Sequence, residues 1–278
     1  MEPSTQPSRL ALIGSAASQA MSPGLWNPVL RGLGTGWTYE AWDVAPDGDL
    51  AAVRARLLAP DMVAANVTMP HKHWAAETAD VAAEPVRLSG ACNLLVRQDH
   101  TLLAHNTDIT AIEVLLGGAY QRHALLLGAG GAARAALIAI RDNVGSVSIT
   151  DRDPQASHEL LELARELGIN ARDVTWQQAQ DLAAEASLIV NATPIGKSTS
   201  DGPAWGGSAL APDAVLYDFV YARHSTASVA CAQAMGIRSI DGWDHLREQA
   251  VAMVPLLGLD ARARTLLQET LVRLRDGH

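Results

Sequence analysis

Only two cysteines stand in the 278 residues, Cys92 and Cys231, and neither belongs to a CxxC or Cys/His spacing. That excludes a disulfide framework or a zinc site legible from spacing and leaves two free thiols, so no metal is expected. Long apolar runs are missing too: nothing approaches the ~18 unbroken apolar residues of a membrane span. The N-terminal MEPSTQPSR lacks a charged stretch followed by an apolar one and does not read as a signal peptide. A cytoplasmic location is expected, with the first eight residues a loose tail. Positive charge is scarce. Lys and Arg number 21 against 30 Asp and Glu, a formal charge of −9. This argues against nucleic acid or an anionic membrane as partner. It does not argue against an anionic small molecule, because local residues set a pocket's field.

What is present describes a globular chain: 48% hydrophobic and 18% charged residues, in a length comfortable for two domains. Short apolar runs alternate with helical patterns, which predicts an α/β fold with parallel strands. Strands are expected at Arg9–Ile13, Trp37–Trp42, Met62–Val67, Ala124–Leu127, Ser146–Thr150, Ser187–Val190 and Ala214–Asp218. Helices are expected at Ala132–Arg141 and Ala156–Leu167. The latter sets Leu160, Leu161, Ala164 and Leu167 on one face, with Gly168 as C-cap. The Gly/Ser/Pro-rich stretch 197–213 reads as a long functional or mobile loop. The simplest division is a first domain over 1–110, completed by C-terminal helices over 241–278, and a dinucleotide-binding Rossmann-type domain over 111–240.

The second domain is marked by a glycine-rich turn. The apolar run Leu125-Leu126-Leu127 enters Gly128-Ala129-Gly130-Gly131-Ala132-Ala133-Arg134, and an alanine-rich helix follows. Gly128 permits the tight turn, Gly130 lets backbone approach a pyrophosphate, and the helix N-terminus offers free N–H groups to phosphate. An ordinary strand–helix turn is the alternative. Asp151 ends the next strand, where an acid holds the adenosine ribose hydroxyls and repels the 2′-phosphate of NADP. Arg152 pulls the other way. NAD is the expected cofactor, with NADP admitted by Arg152.

Four further motifs carry a family resemblance. Asn66-Val67-Thr68-Met69-Pro70-His71-Lys72, Asn106-Thr107-Asp108, Asn191-Ala192-Thr193-Pro194-Ile195-Gly196 and Tyr217-Asp218-Phe219-Val220-Tyr221 stand in this order. They resemble the NVTxPxK, NTD, NATPxG and YDxxY motifs of the shikimate/quinate dehydrogenases. With the glycine turn and Gly14…Ser22-Pro23, the resemblance spans essentially the whole chain. It implies a substrate-binding domain, a Rossmann-type domain and a cleft between them. It also implies reversible, NAD(P)-dependent hydride transfer at a ring hydroxyl or carbonyl. Lys72 would be the proton-transfer group and Asp108 its partner, since hydride leaving a carbinol carbon makes the oxygen acidic and a positioned base must take its proton. Alone, Lys72 would be a surface lysine and Asp108 an N-cap for a helix over Ile109–Leu116. The resemblance assigns substrate contacts to Ser22, Thr68, Asn93, Tyr221 and Gln249. It assigns cofactor contacts to Gly128, Ala129, Gly130, Gly131, Ala132, Asp151, Arg152, Asn191, Ala192, Thr193, Val220 and Gly242.

The recognition residues depart from the family pattern more than the catalytic ones. Ala20 stands where the first of two carboxylate-binding hydroxyls is usual, leaving Ser22. Leu94 follows Asn93 in place of Thr, and Ile109 follows the NTD in place of Gly. Gly242-Trp243-Asp244-His245-Leu246 replaces an apolar GLGML stretch. His245 reads either as a pH-sensitive ligand contact or as a partly exposed histidine at a helix start. The expected partner is a small cyclic hydroxy acid other than, or modified from, shikimate, bound by a monomer or homodimer. The alternative is a non-enzymatic sensor of quinate- or shikimate-type ligands on the same fold, against which stand the retained Lys72, Asp108 and glycine turn.

Overall fold

The computed structural model describes residues 8–222 and 224–277. The tail expected over the first eight residues lies, but for Ser8, outside them. The chain divides into two compact units, one of residues 1–107 with 249–278 and one of 108–248.

In the first unit the elements are β1 (Arg9–Gly14), α1 (Ser22–Leu33), β2 (Thr38–Asp43), α2 (Leu50–Leu57), β3 (Met62–Val67), α3 (Lys72–Thr78), β4 (Val81–Ala82), α4 (Glu84–Ser89), β5 (Leu94–Gln98) and β6 (Thr101–His105). The strands form one sheet in the order β2-β1-β3-β5-β6-β4. β1 is a continuous apolar run, buried over Leu10–Ile13, as a strand covered on both faces requires. This sheet is mixed, its parallel strands joined by one antiparallel strand. β5 runs antiparallel to both β3 and β6. The turn of this hairpin places Asp99 at φ +55°, a left-handed conformation that Asp tolerates.

The second unit contains α5 (Thr107–Leu116), whose first residue belongs to the unit before, β7 (Gln121–Leu127), α6 (Gly131–Ile140), β8 (Val144–Thr150), α7 (Pro154–Glu166), β9 (Ala171–Asp173), α8 (Trp176–Leu182), β10 (Leu188–Asn191), β11 (Val215–Asp218), α9 (Ala227–Ala234), β12 (Arg238–Ile240) and the first half of α10 (Gly242–Leu256). The second half of α10 and α11 (Arg262–Asp276) belong to the first unit. There α11 packs on α1, where a Cβ on Gly32 would touch Leu266 at 3.0 Å.

The sheet of the second unit is all parallel, β12-β11-β10-β7-β8-β9. Counted within the unit this is the doubly wound order 6-5-4-1-2-3, whose direction reverses between β7 and β10. α7 starts where the sequence directs: Asp153 caps Gln155 N, Pro154 takes the first turn, and Leu160, Leu161 and Ala164 are buried. The stretch 197–213 is not loose. Trp205 is wholly buried in the core with Leu125, Ile189 and Leu216, and its indole N–H donates to Ser208 O.

Candidate active site

In the first unit the NVTMPHK segment leaves the end of β3 and returns as α3. Thr68 N donates to Ile13 O, and a Cβ on Gly14 would overlap the Thr68 methyl, so only glycine fits there. His71 is buried with Nε2 2.8 Å from Val44 O, and its backbone N–H donates to Thr68 O. This pinned turn delivers Lys72, half-buried, as the first residue of α3. Lys72 O in turn accepts from Cys92 N.

Asn93 follows at once. It is buried, its Oδ1 accepts from Thr107 N at 2.8 Å, and its Nδ2 donates to Thr107 Oγ1 at 3.0 Å. Asn106 Nδ2 donates to Ala91 O at 3.0 Å. The two amides therefore fix the strand end that leads into Asp108. Asp108 is not the N-cap expected from the sequence: α5 begins at Thr107, which puts Asp108 inside the first turn.

Ser22 opens α1, and its hydroxyl is hydrogen-bonded to Tyr39 Oη. Tyr39 is buried and donates to Asn66 Oδ1 at 2.8 Å. Asn66 Nδ2 lies 3.4 Å from Met253 Sδ of α10. Gln249 stands one turn before Met253 on that helix, on the same face. Ser22, Asn66, Thr68, Asn93 and Gln249 thus gather hydroxyl and amide groups around the ends of β1 and β3.

In the second unit the glycine turn joins β7 to α6. Gly128 has φ +98°, and a Cβ there would press on Ala192 O at 3.0 Å and the Thr193 methyl at 3.2 Å. Cβ atoms on Gly130 and Gly131 would meet nothing within 4 Å. The turn therefore has an open cradle before the N-terminus of α6, as a pyrophosphate requires. Asp151 holds this turn: Oδ2 accepts from Ala129 N at 2.7 Å and Oδ1 from Asp153 N at 2.8 Å. Arg152 beside it is exposed.

Across the reversal of the sheet, Asn191 ends β10. Its Oδ1 accepts from Thr193 Oγ1 at 2.6 Å and its Nδ2 donates to Ile195 O and to Asp218 Oδ1. Asp218, which ends β11, is wholly buried and also accepts from Val220 N and Thr226 Oγ1. Burial pushes its carboxyl above the usual range, against the three donors. Val220 is buried and Tyr221 half exposed, with its ring against Trp243. Gly242 must be glycine, since a Cβ would fall 2.7 Å from Val220 O.

His245 differs from the reading as a partly exposed helix-start residue. It is 7% exposed, and both ring nitrogens have partners: Tyr217 Oη at 2.7 Å from Nδ1 and Asp108 Oδ1 at 3.3 Å from Nε2. Sequence reading also missed Asp218 as an organising centre. Its signal was the acid closing the YDxxY strand, but the Asn191–Asp218 pairing depends on the register of β10 with β11.

Comparison with known proteins agrees with this arrangement. Residues 12–95 match the shikimate dehydrogenase substrate binding domain. The shikimate dehydrogenase (NADP(+)) of Citrifermentans bemidjiense is 34% identical over 255 residues, 87% of this chain and 86% of that one. The chain belongs to the shikimate dehydrogenase family. With it, the chain belongs to the NAD(P)-dependent oxidoreductases that act on CH–OH groups. Among solved structures, quinate dehydrogenase from Corynebacterium glutamicum in complex with NAD is 26% identical, with a TM-score of 0.85 over 94% of this chain and 99% of that one. The shikimate 5-dehydrogenase of Thermus thermophilus, in complex with NADP(H) and shikimate, is 28% identical, with a TM-score of 0.78 over 96% and 99%. Among the described residues no helix is long and apolar enough to cross a membrane, and no cluster of His, Cys, Asp or Glu is built to hold a metal.

Proposed function

We propose that this protein interconverts a ring hydroxyl and carbonyl of a shikimate- or quinate-like cyclic polyhydroxy acid, with Lys72 and Asp108 as the proton-transfer pair. The first unit, with domain bounds near 1–110 and 241–278, binds the substrate through Ser22, Thr68, Asn93 and Gln249, and the resemblance adds Tyr221 as a substrate contact. The Rossmann-type unit, near 111–240, holds the dinucleotide. The observation that carries the reading is the pinned NVTMPHK turn. The buried His71 and the backbone bonds of this turn fix the chain on either side of the point where a half-buried lysine begins α3.

The open cradle at Gly130 and Gly131 fits a dinucleotide, which Gly128–Ala132, Asp151, Arg152, Asn191–Thr193, Val220 and Gly242 would hold. When bound, NAD(P)+ supplies the hydride acceptor. Asp151 favours ribose hydroxyls and hence NAD, with Arg152 admitting NADP. Lys72 Nζ receives the proton of the substrate hydroxyl during oxidation and returns it during reduction. The Asp108 carboxylate orients that hydroxyl and balances the charge formed on Nζ. The reaction belongs to soluble cytoplasmic metabolism.

Replacing Lys72 by Ala, or Asp108 by Asn, should lower kcat on shikimate or quinate by about 10²–10⁴-fold. Lys72 is half-buried on a turn outside the core, so Lys72→Ala should hardly move the melting temperature. A Lys72→Ala protein with near-normal turnover would contradict the proposed pair.

A further inference from the structure

His245 stands where the resemblance leads one to expect an apolar residue, and the structure gives it a defined set of neighbours. Four elements of the second unit converge on it. β11 supplies Tyr217, the segment after β11 supplies Phe219, α5 supplies Asp108, and α10 carries the histidine itself. The Phe219 ring packs edge-on at 4.8 Å and the Tyr217 ring at 6.0 Å. A histidine that is 7% exposed, wedged between aromatic rings and bonded at both nitrogens has one orientation.

The partners also order the protons. Burial pushes the Tyr217 phenol well above its ordinary range, and the charges of Asp108, Asp244 and Glu248 push the same way. Geometry sets the rest: Nε2 faces a carboxylate oxygen, which can only accept, so a neutral ring carries its proton there and its bare Nδ1 accepts from the Tyr217 Oη–H. The other charged groups nearby are engaged among themselves. Asp244 and Glu248 bind Arg247, and Asp241 caps the start of α10 through Trp243 N and Asp244 N.

We propose that His245 is a positioning residue for Asp108, with Tyr217 fixing the tautomer that makes the contact: Tyr217 Oη–H to Nδ1, and Nε2–H to Asp108 Oδ1. The donor holds the carboxylate in one rotamer as a hydrogen-bond acceptor, work that an apolar side chain at this position cannot do. This inference rests on the proposed role of Asp108.

Two measurements on the full chain test it. In the ¹⁵N-labelled protein, the imidazole signals lost in His245→Gln identify this residue. They should show the Nε2–H tautomer at neutral pH and shift in both Tyr217→Phe and Asp108→Asn. An Nδ1–H tautomer, or signals indifferent to Asp108→Asn, would overturn the proposal, and this measurement needs no substrate. In kinetics with shikimate and quinate, each with NAD+ and NADP+, His245→Met should lower kcat by roughly 10- to 100-fold with little change in KM, as loss of an orienting partner does. His245→Gln, whose amide nitrogen can replace Nε2–H, should recover most of it. Tyr217→Phe should cost activity in the wild type and nothing further beside His245→Met. Unchanged kcat in His245→Met would overturn the proposal. If His245→Met does not fold, the Tyr217→Phe and His245→Gln pair decides on the same terms. The Asp108→Asn protein separates the two failures: if it is inactive while every His245 variant is normal, only the positioning role falls, and if it is itself active, the proton pair falls.

Discussion

Ala20 is the residue whose absence of chemistry has the clearest consequence. A carboxylate taken from water needs donors on both oxygens, and a missing donor costs about 1–3 kcal/mol. Ala20 has no donor, which leaves Ser22 alone of the two hydroxyl positions. Shikimate should therefore bind poorly, with KM raised on the order of 10- to 100-fold and kcat little changed, because the carboxylate is remote from the reacting carbon. Ala20→Ser should recover part of that KM. A normal shikimate KM in the wild type would show that the carboxylate is held elsewhere.

Asp218 gives a second residue-scale test. Its folded pKa is raised, so the folded state binds its proton more tightly than the unfolded state does. Stability is then highest below the unfolded pKa and declines as pH rises from there through the raised folded value. Asp218→Asn should lack this decline, so wild type minus variant stability should fall with pH when both are melted across the acid-to-neutral range. Asp218→Ala strands buried donors at about 1–3 kcal/mol each and should destabilise at every pH. The family and the places of Lys72 and Asp108 in its motifs were legible from motif order. The roles of Asp218 and His245 were not, because their partners come from separate strands and helices.

At the scale of elements, the glycine turn separates folding from binding. Gly128 needs its positive φ and the space against Ala192. Gly128→Ala should lower stability by about 1–3 kcal/mol. Gly130 is extended, at φ −78° and ψ −165°, and a Cβ there meets nothing. Gly130→Ala should melt normally yet raise the dinucleotide KM, since the methyl stands where a pyrophosphate would approach. Kinetics unchanged in Gly130→Ala would remove the turn from cofactor binding. The sequence resolved this turn, and most strands to within a few residues, because apolar runs and helix caps are local signals. It gave no strands at the β5–β6 hairpin, whose reversal passes through the left-handed Asp99. It read 197–213 as a functional or mobile loop, since nothing in a Gly/Ser/Pro-rich stretch says that Trp205 inserts into the core.

At the scale of the whole molecule, the chain is two compact units, each built on its own sheet. Hydroxyl and amide groups with Lys72 lie in the first, and the dinucleotide cradle with Asp108 lies in the second. The doubly wound order of the second sheet brings the glycine turn and Asn191–Thr193 together at the reversal between β7 and β10. Family membership makes the chain an oxidoreductase. The most direct test follows the absorbance of reduced nicotinamide when the purified protein meets NAD+ or NADP+ and a panel of cyclic polyhydroxy acids that includes shikimate and quinate. The account predicts turnover with at least one of these acids, a higher kcat/KM with NAD+ than with NADP+, and loss of turnover in Lys72→Ala. Absence of turnover across the panel with both cofactors, in a folded protein that binds the dinucleotide, would contradict it.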